Sequence, residues 1–390
     1  MSNILELRPG SGSDRSISDD YAKVTEIPRI PAEELSYNDF FWNCMQPNRP
    51  VILTSVADNW KCSSDWITNG RVDLDCLEAE IGNDPVPVAN CSKVYFNSHE
   101  KSEIPFREYC QYWKTRKDSS EILYLKDWHL KAARPSYDYY NVPKYYASDW
   151  LNEYLIDTNK DDYRFVYIGP EGSWTPFHAD VFSSFSWSTN IVGTKKWLLL
   201  PPGEEDKLKD SHNNDPFSIS EELLDKHKVR YSTVIQQPSE SIFVPSKWYH
   251  QVWNVTDTIS VNHNWFNGCN IHVIWESLRK NHQNVVEEIS DCKDMDNFNE
   301  HCQVMLKSVF GLDFNDFIDI LEHVAKKRMS GEPNIMFDEY ELNLCHKEYD
   351  LERITSILKD ISCDASSKAV SRVESRCSKL LQLINEFEIK

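Results

Sequence analysis

The stretch from Arg164 to Trp265 most constrains what this chain can fold into. It breaks into short runs rich in β-branched and aromatic residues: Arg164–Ile168, Phe177–Val181, Phe185–Val192, Lys196–Leu200, Tyr231–Ile235, Ser241–Val244 and Thr258–Trp265. Turn formers punctuate them, namely Gly169-Pro170, Pro201-Pro202-Gly203, Gln237-Pro238-Ser239 and residues 254–257. Many short strands with little helical pattern between them predict a sandwich or barrel rather than a parallel α/β sheet.

The pattern changes on either side. All thirteen tryptophans lie at or before Trp275, and Pro333 is the one proline of eighteen beyond it. Residues 276–390 carry apolar positions at helical spacing instead: Met305, Leu306, Val309 and Phe310; Ile354, Ile357, Leu358 and Ile361; and Leu380, Leu381, Leu383, Ile384 and Phe387. This i, i+3, i+4 repeat predicts several helices packed on something larger. Residues 21–160 read as a mixed segment packing on the β core, with helices around Tyr37–Cys44 and Phe106–Thr115. Residues 1–20, rich in Ser, Gly and Asp, are expected to be mobile. The expected organisation is therefore a flexible N-terminus (1–20), a mixed segment (21–160), a β core (161–275) and a helical region (276–390).

Charge narrows the partners. Forty-two basic residues stand against 62 acidic ones, a net of −20. Such a chain lacks the field that draws proteins onto nucleic acid or anionic lipid, and it suits a basic protein surface instead. No basic stretch followed by an apolar run marks a secretory signal, and no apolar run is long enough to span a bilayer. The eleven cysteines are scattered, none paired as C-x-x-C, so zinc-module and thioredoxin readings are set aside. With no dense Lys/Arg cluster either, a cytoplasmic location is the expectation. Oligomeric state is left open.

The chemistry concentrates in Gly172-Ser-Trp-Thr-Pro-Phe-His-Ala-Asp180. Residues two apart on a strand point to one face, so His178 and Asp180 project side by side. An imidazole and a carboxylate on one face form two corners of a metal site, and two histidines with one carboxylate is the iron(II) oxygenase set. His346-Lys347-Glu348 also matches H-x-E, but it lies where helix is predicted, and there residues two apart do not share a face. The third ligand has two candidates. His250 follows a strand, a proline-led turn and an aromatic pair in Ser241-Ile-Phe-Val-Pro-Ser-Lys-Trp-Tyr-His250, an arrangement that can aim an imidazole into a barrel mouth. His263, in Val261-Asn-His-Asn-Trp265, is expected to pack with Val261 and Trp265 instead.

These pieces, with Gly193-Thr-Lys195, Pro201-Pro202, Asn262-His-Asn-Trp265, Arg49-Pro-Val-Ile52 with Trp60, and Tyr124-Leu-Lys-Asp-Trp128, resemble the JmjC family of iron(II)- and 2-oxoglutarate-dependent oxygenases. The resemblance covers about residues 30–275. It implies a double-stranded β-helix core, jelly-roll and cupin-like, and a dioxygenase using Fe(II), 2-oxoglutarate and O2. His178, Asp180 and His250 match the iron triad, and Lys195 matches the lysine that pairs with the distal carboxylate of 2-oxoglutarate. Thr175 and Tyr124 match hydroxyls that bond that carboxylate. One of Asn262 and Asn264 matches a polar position near the co-substrate's metal-binding end. Strict alternation would put Thr175 opposite His178, so Pro176 or a bulge must reset the register. Ser186 stands where some relatives carry a cofactor-facing asparagine.

Within the family, Ser186-Trp-Ser-Thr-Asn-Ile-Val-Gly193, Pro201-Pro-Gly-Glu-Glu205 and Asn262-His-Asn-Trp-Phe-Asn-Gly-Cys-Asn270 resemble a branch of protein lysyl hydroxylases. Members of that branch act on the eukaryotic translation termination factor. The resemblance thus implies a protein substrate and hydroxylation of a lysine side-chain carbon. The alternatives are N-methyl-lysine demethylation at the same site, and a non-catalytic jelly-roll binding module.

Overall fold

The computed structural model describes residues 3–10, 26–96, 98–117, 121–337 and 339–388. Eight strands between Arg164 and Trp265 divide into two facing antiparallel sets, a jelly-roll of the cupin type. The smaller sheet runs Trp174–His178, Tyr249–Asn254, Lys195–Leu200, Ser232–Gln236 in spatial order. The other four, in the order Ser241–Val244, Phe185–Val192, Thr258–Trp265, Arg164–Gly169, form the middle of a nine-stranded sheet. Earlier chain extends both its edges. Val51–Thr54 and Arg29–Pro31 add to one side, and Leu123–Trp128, Pro85–Tyr95 and Ser98–Pro105 to the other.

Alternation decides what each face meets. In Thr258–Trp265, Ile259, Val261, His263 and Trp265 turn outward into a core shared with Phe40, Tyr145 and Tyr146, while Ser260, Asn262 and Asn264 turn inward. In Arg164–Gly169 the outward pair is Val166 and Ile168, and Phe165 and Tyr167 line the interior cavity. Burying the outer face under the N-terminal segment frees the inner face to carry polar groups. The sheets join at Gly193, whose φ of +84° suits glycine alone, since a Cβ there would meet the Asp257 carbonyl at 2.1 Å.

Beyond the β-core lie helices Ile271–Glu288, Phe298–Phe310, Phe314–Met329, Leu344–Cys363 and Val373–Glu388. Ile274, Leu306, Phe317, Leu321, Ile354, Ile357, Leu358, Ile361, Leu380 and Ile384 form their common core, and Trp150, Leu151, Phe182 and Phe266 enter it. Three predicted apolar positions are exposed: Val309, Leu383 and Phe387. The last helix buries Val373, Cys377, Leu380 and Ile384, a stripe at i, i+4, i+7, i+11, and Leu383 and Phe387 sit beside that stripe. An ionic cluster crosses the interior here. Arg328 donates to Asp350 at 2.7 Å and to both Glu153 oxygens at 2.9 Å, with every side chain at most 2% exposed.

Several local readings shift. Asn3–Leu5 is a strand parallel to Tyr340–Leu342, with Leu5 and Leu7 buried, so this part of the N-terminal stretch is tied to the fold; residues 1–2 and 11–25 lie outside the described residues. The Tyr37–Cys44 helix is one α-turn, Tyr37–Phe40, widening into a π-type turn over Phe41–Met45. The strand expected at Phe177–Val181 is Trp174–His178, so Asp180 lies past its end. His346 is buried on Leu344–Cys363, 2.6 Å from the Tyr37 hydroxyl, while Glu348 is exposed.

Candidate active site

His178, Asp180 and His250 bring one ligand atom each to within 4.8 Å of one another. His178 ends its strand directly across from His250, and their ring centroids are 4.4 Å apart. Between Thr175 and His178 the pairing jumps, because Thr175 faces Val252 and His178 faces His250. This bulge next to Pro176 lets Thr175 and His178 both reach the cavity. Asp180 keeps extended backbone (φ −63°, ψ 149°), so its carboxylate still turns inward beside His178. Two and three residues further on, Phe182 and Ser183 take left-handed φ values of 60° and 56°, a strained conformation that packing must hold.

The three ligand groups are oriented from behind. Nδ1 of His178 lies 2.7 Å from the Pro176 carbonyl, and Nδ1 of His250 lies 2.9 Å from that of Trp248. A proton on each Nδ1 satisfies the carbonyl and leaves the Nε2 lone pair for a metal. Burial, reinforced by His250 and opposed by Asp180, pushes His178 down to about 4, so its imidazole is neutral at pH 7. Ser186 Oγ donates to Asp180 Oδ2 at 2.7 Å and Asn264 Nδ2 to Oδ1 at 2.9 Å. Two imidazoles anchored through Nδ1 and one doubly braced carboxylate suit a divalent iron ion.

Farther in, Lys195 is 2% exposed. Its Nζ donates to Ser260 Oγ at 2.6 Å and Ser188 Oγ at 3.4 Å, and lies 5.9 Å from the Tyr167 ring and 6.0 Å from that of Trp197. Burial pushes its pKa down to about 7. A buried ammonium bonded to hydroxyls is short of negative charge, and a carboxylate entering the cavity supplies it. Asn262 belongs to this deeper layer, donating to Ser260 Oγ at 3.0 Å, whereas Asn264 belongs to the metal layer. Tyr124 is buried with its ring edge-on to Tyr167 at 5.9 Å. All the predicted residues line one cavity of about 450 Å3.

His263 is not part of the ligand group. It is buried on the opposite side of its strand, its Nε2 2.7 Å from the Tyr140 hydroxyl and its ring 4.2 Å from that of Trp187. Sequence reading missed Ser188, Ser260, Tyr167, Lys126 and Asp127, which also belong to the cavity or its hydrogen bonds. Ser260-x-Asn262-x-Asn264 against outward Ile259-x-Val261 is a period-two signal that could have revealed the polar inner face.

A family model described as "JmjC domain, hydroxylase" matches residues 165–265. The chain is 48% identical to the 2-oxoglutarate and iron-dependent oxygenase JMJD4 homolog of Drosophila melanogaster, over 92% of this chain and 94% of that one. This chain belongs to the JmjC family. It is also 40% identical to the 2-oxoglutarate and iron-dependent oxygenase JMJD4 of Homo sapiens, over 90% of this chain and 89% of that one. It is 39% identical to the arginine-specific demethylase JMJ20 of Arabidopsis thaliana, over 75% and 69%. As a JmjC oxygenase it uses iron and 2-oxoglutarate, with O2 as oxidant. No helix among the described residues is long and apolar enough to cross a membrane.

Proposed function

We propose that this JmjC oxygenase is a protein hydroxylase that oxidises a lysine side-chain carbon of the translation termination factor. In this reading His178, Asp180 and His250 hold the iron, and Lys195 receives the distal carboxylate of 2-oxoglutarate with Thr175 and Tyr124 beside it. The observation that carries the site is the pairing, in one cavity, of a metal-competent triad with a buried ammonium lacking a carboxylate among its described partners. Lysine of the termination factor as target follows from the sequence resemblance of 186–193, 201–205 and 262–270.

Iron and 2-oxoglutarate, when bound, supply the oxidising chemistry: O2 converts 2-oxoglutarate to succinate and carbon dioxide, and one oxygen atom enters a C–H bond. The chain's own residues bind and shelter. Ser186 and Asn264 fix the Asp180 carboxylate, the Pro176 and Trp248 carbonyls fix the two imidazoles, and Phe165, Tyr167 and Trp197 wall the cavity. No side chain is needed as a general base.

A second reading is demethylation at the same site, favoured by the name of the Arabidopsis relative. Mass spectrometry of purified termination factor separates the two, after incubation with the protein, iron(II), 2-oxoglutarate and air beside a His178→Ala control. One added oxygen on lysine, absent with the control, supports hydroxylation. Loss of a methyl group from methylated arginine or lysine peptides, with no added oxygen, supports the second reading.

A further inference from the structure

Asp180 and Asp127 are the two carboxylates among the described residues lining the cavity. Both oxygens of Asp180 are engaged by Ser186 and Asn264. Asp127 is engaged differently. It sits near the end of Leu123–Trp128, where pairing with Arg164–Gly169 slips between Leu125 and Trp128. Its φ is 60°, a left-handed conformation uncommon outside glycine and of the kind retained at functional positions. The Tyr167 hydroxyl donates to its Oδ1 at 2.6 Å, and the Lys101 ammonium to its Oδ2 at 2.9 Å.

Lys101 comes from the edge strand Ser98–Pro105 and its side chain is 55% exposed, against 33% for Asp127. Ion pairs this open contribute little to stability, so the Lys101 ammonium exchanges readily for another. Burial alone would raise the Asp127 pKa. Lys126, Lys101 and the Tyr167 hydroxyl outweigh that and hold it well below the usual carboxylate range, so the group is charged at neutral pH. Tyr167 also packs by Lys195, so Asp127 lies one side chain away from the deep end of the cavity.

A lysine oxidised on a side-chain carbon must bring its ammonium into this cavity, where desolvation demands a carboxylate partner. We propose that Asp127 is the receptor for the ε-ammonium of the substrate lysine, and that Lys101 occupies its place until the substrate arrives. This deepens the hydroxylase reading and rests on it for the identity of the incoming group. Lys101 is itself the precedent, a primary ammonium on a flexible stem already seated against this carboxylate.

The test is calorimetric titration of the full chain, loaded with Mn(II) and 2-oxoglutarate, with two peptide pairs. One is the alanine-flanked pentapeptide Ala-Ala-Lys-Ala-Ala and its norleucine counterpart, and the other a termination-factor lysine peptide and its norleucine counterpart. The expected result is a preference for lysine over norleucine of about tenfold or more, from a charge-assisted hydrogen bond. Lys101→Ala should bind lysine more tightly than the unaltered chain. Asp127→Asn, whose asparagine tolerates the left-handed backbone, should lose the preference while binding norleucine peptides as before. Opposite signs from the two variants exclude a folding artefact. No lysine preference in the unaltered chain, or a preference surviving Asp127→Asn, overturns the proposal. The same peptides are then incubated with iron(II) and air. A preference that depends on Asp127 without oxygen added to the lysine would keep the receptor and discard hydroxylation.

Discussion

Replacing Lys195 by methionine should make the protein without 2-oxoglutarate more stable and its response to 2-oxoglutarate almost nil. Burial moves Lys195 from 10.5 to about 7, which at about 1.4 kcal/mol per pH unit corresponds to about 5 kcal/mol of strain in the charged fold. Methionine removes that strain but forfeits the bonds to Ser260, which keeps Asn262, and to the buried Ser188 hydroxyl, which is left short of a partner, at about 1–3 kcal/mol. A net gain of about 2–4 kcal/mol near neutral pH is expected. The sign with pH follows from proton counting. The folded pKa lies below the unfolded one, so the unfolded chain binds more protons between pH 7 and 10.5, and stability rises across that window in the unaltered protein. The rise should vanish in Lys195→Met. Losing one partner of a buried charge pair should raise the 2-oxoglutarate KM by about two orders of magnitude. Urea unfolding at pH 7 and 9, and succinate release against 2-oxoglutarate concentration, measure both. A Lys195→Met protein that is less stable than its parent, or that keeps its 2-oxoglutarate KM, would refute the reasoning.

Ser186→Ala and Asn264→Ala each strip one hydrogen bond from Asp180, and should weaken iron(II) binding by about 10–100-fold, read by anaerobic metal titration. His263→Ala should leave iron affinity intact while destabilising the fold by about 1–3 kcal/mol through loss of the Tyr140 contact and the stack on Trp187, seen in the same titration and in urea unfolding. Arg328→Met leaves Glu153 and Asp350 buried without their guanidinium, and should lose about 3–5 kcal/mol. Both carboxylates are held below their ordinary values in the parent against the opposing pull of burial, so the pair's stability is present above pH 4.5 and lost in acid. The gap between parent and variant should accordingly close on acidification, checked by urea unfolding at pH 7 and 4.

The β-core was readable because period-two alternation and turn residues are local signals, and Phe185–Val192, Ser241–Val244 and Thr258–Trp265 fall where those signals put them. The Pro176 bulge was legible for the same reason. Asp180 reached its place by a different route, through extended backbone after the strand had ended. Asp127 stands within the Tyr124–Trp128 motif, but its place in the cavity was not legible: a left-handed residue at a register slip follows no period, and its partners Lys101 and Tyr167 lie 26 and 40 positions away. Asn3–Leu5 was too short to show a pattern, and its pairing to Tyr340–Leu342 depends on contacts across nearly the whole chain. The exposed Leu383 and Phe387 mark the limit of periodicity, which finds a helix but not the width of its buried stripe.

Two residues after Asp180, the Phe182 ring enters the core of the C-terminal helices and packs so closely on Gly311 that a Cβ there would come within 2.6 Å. Ser183 then bonds Ser277 of the first of those helices at 2.8 Å. The carboxylate corner of the triad is thus tethered to both halves of the molecule, and the left-handed pair 182–183 is the joint. By linkage, metal capture and helix cohesion become one equilibrium. Cutting the chain back to the 165–265 segment that defines the family would release the joint. Such a truncation should weaken metal binding even with all three triad residues retained.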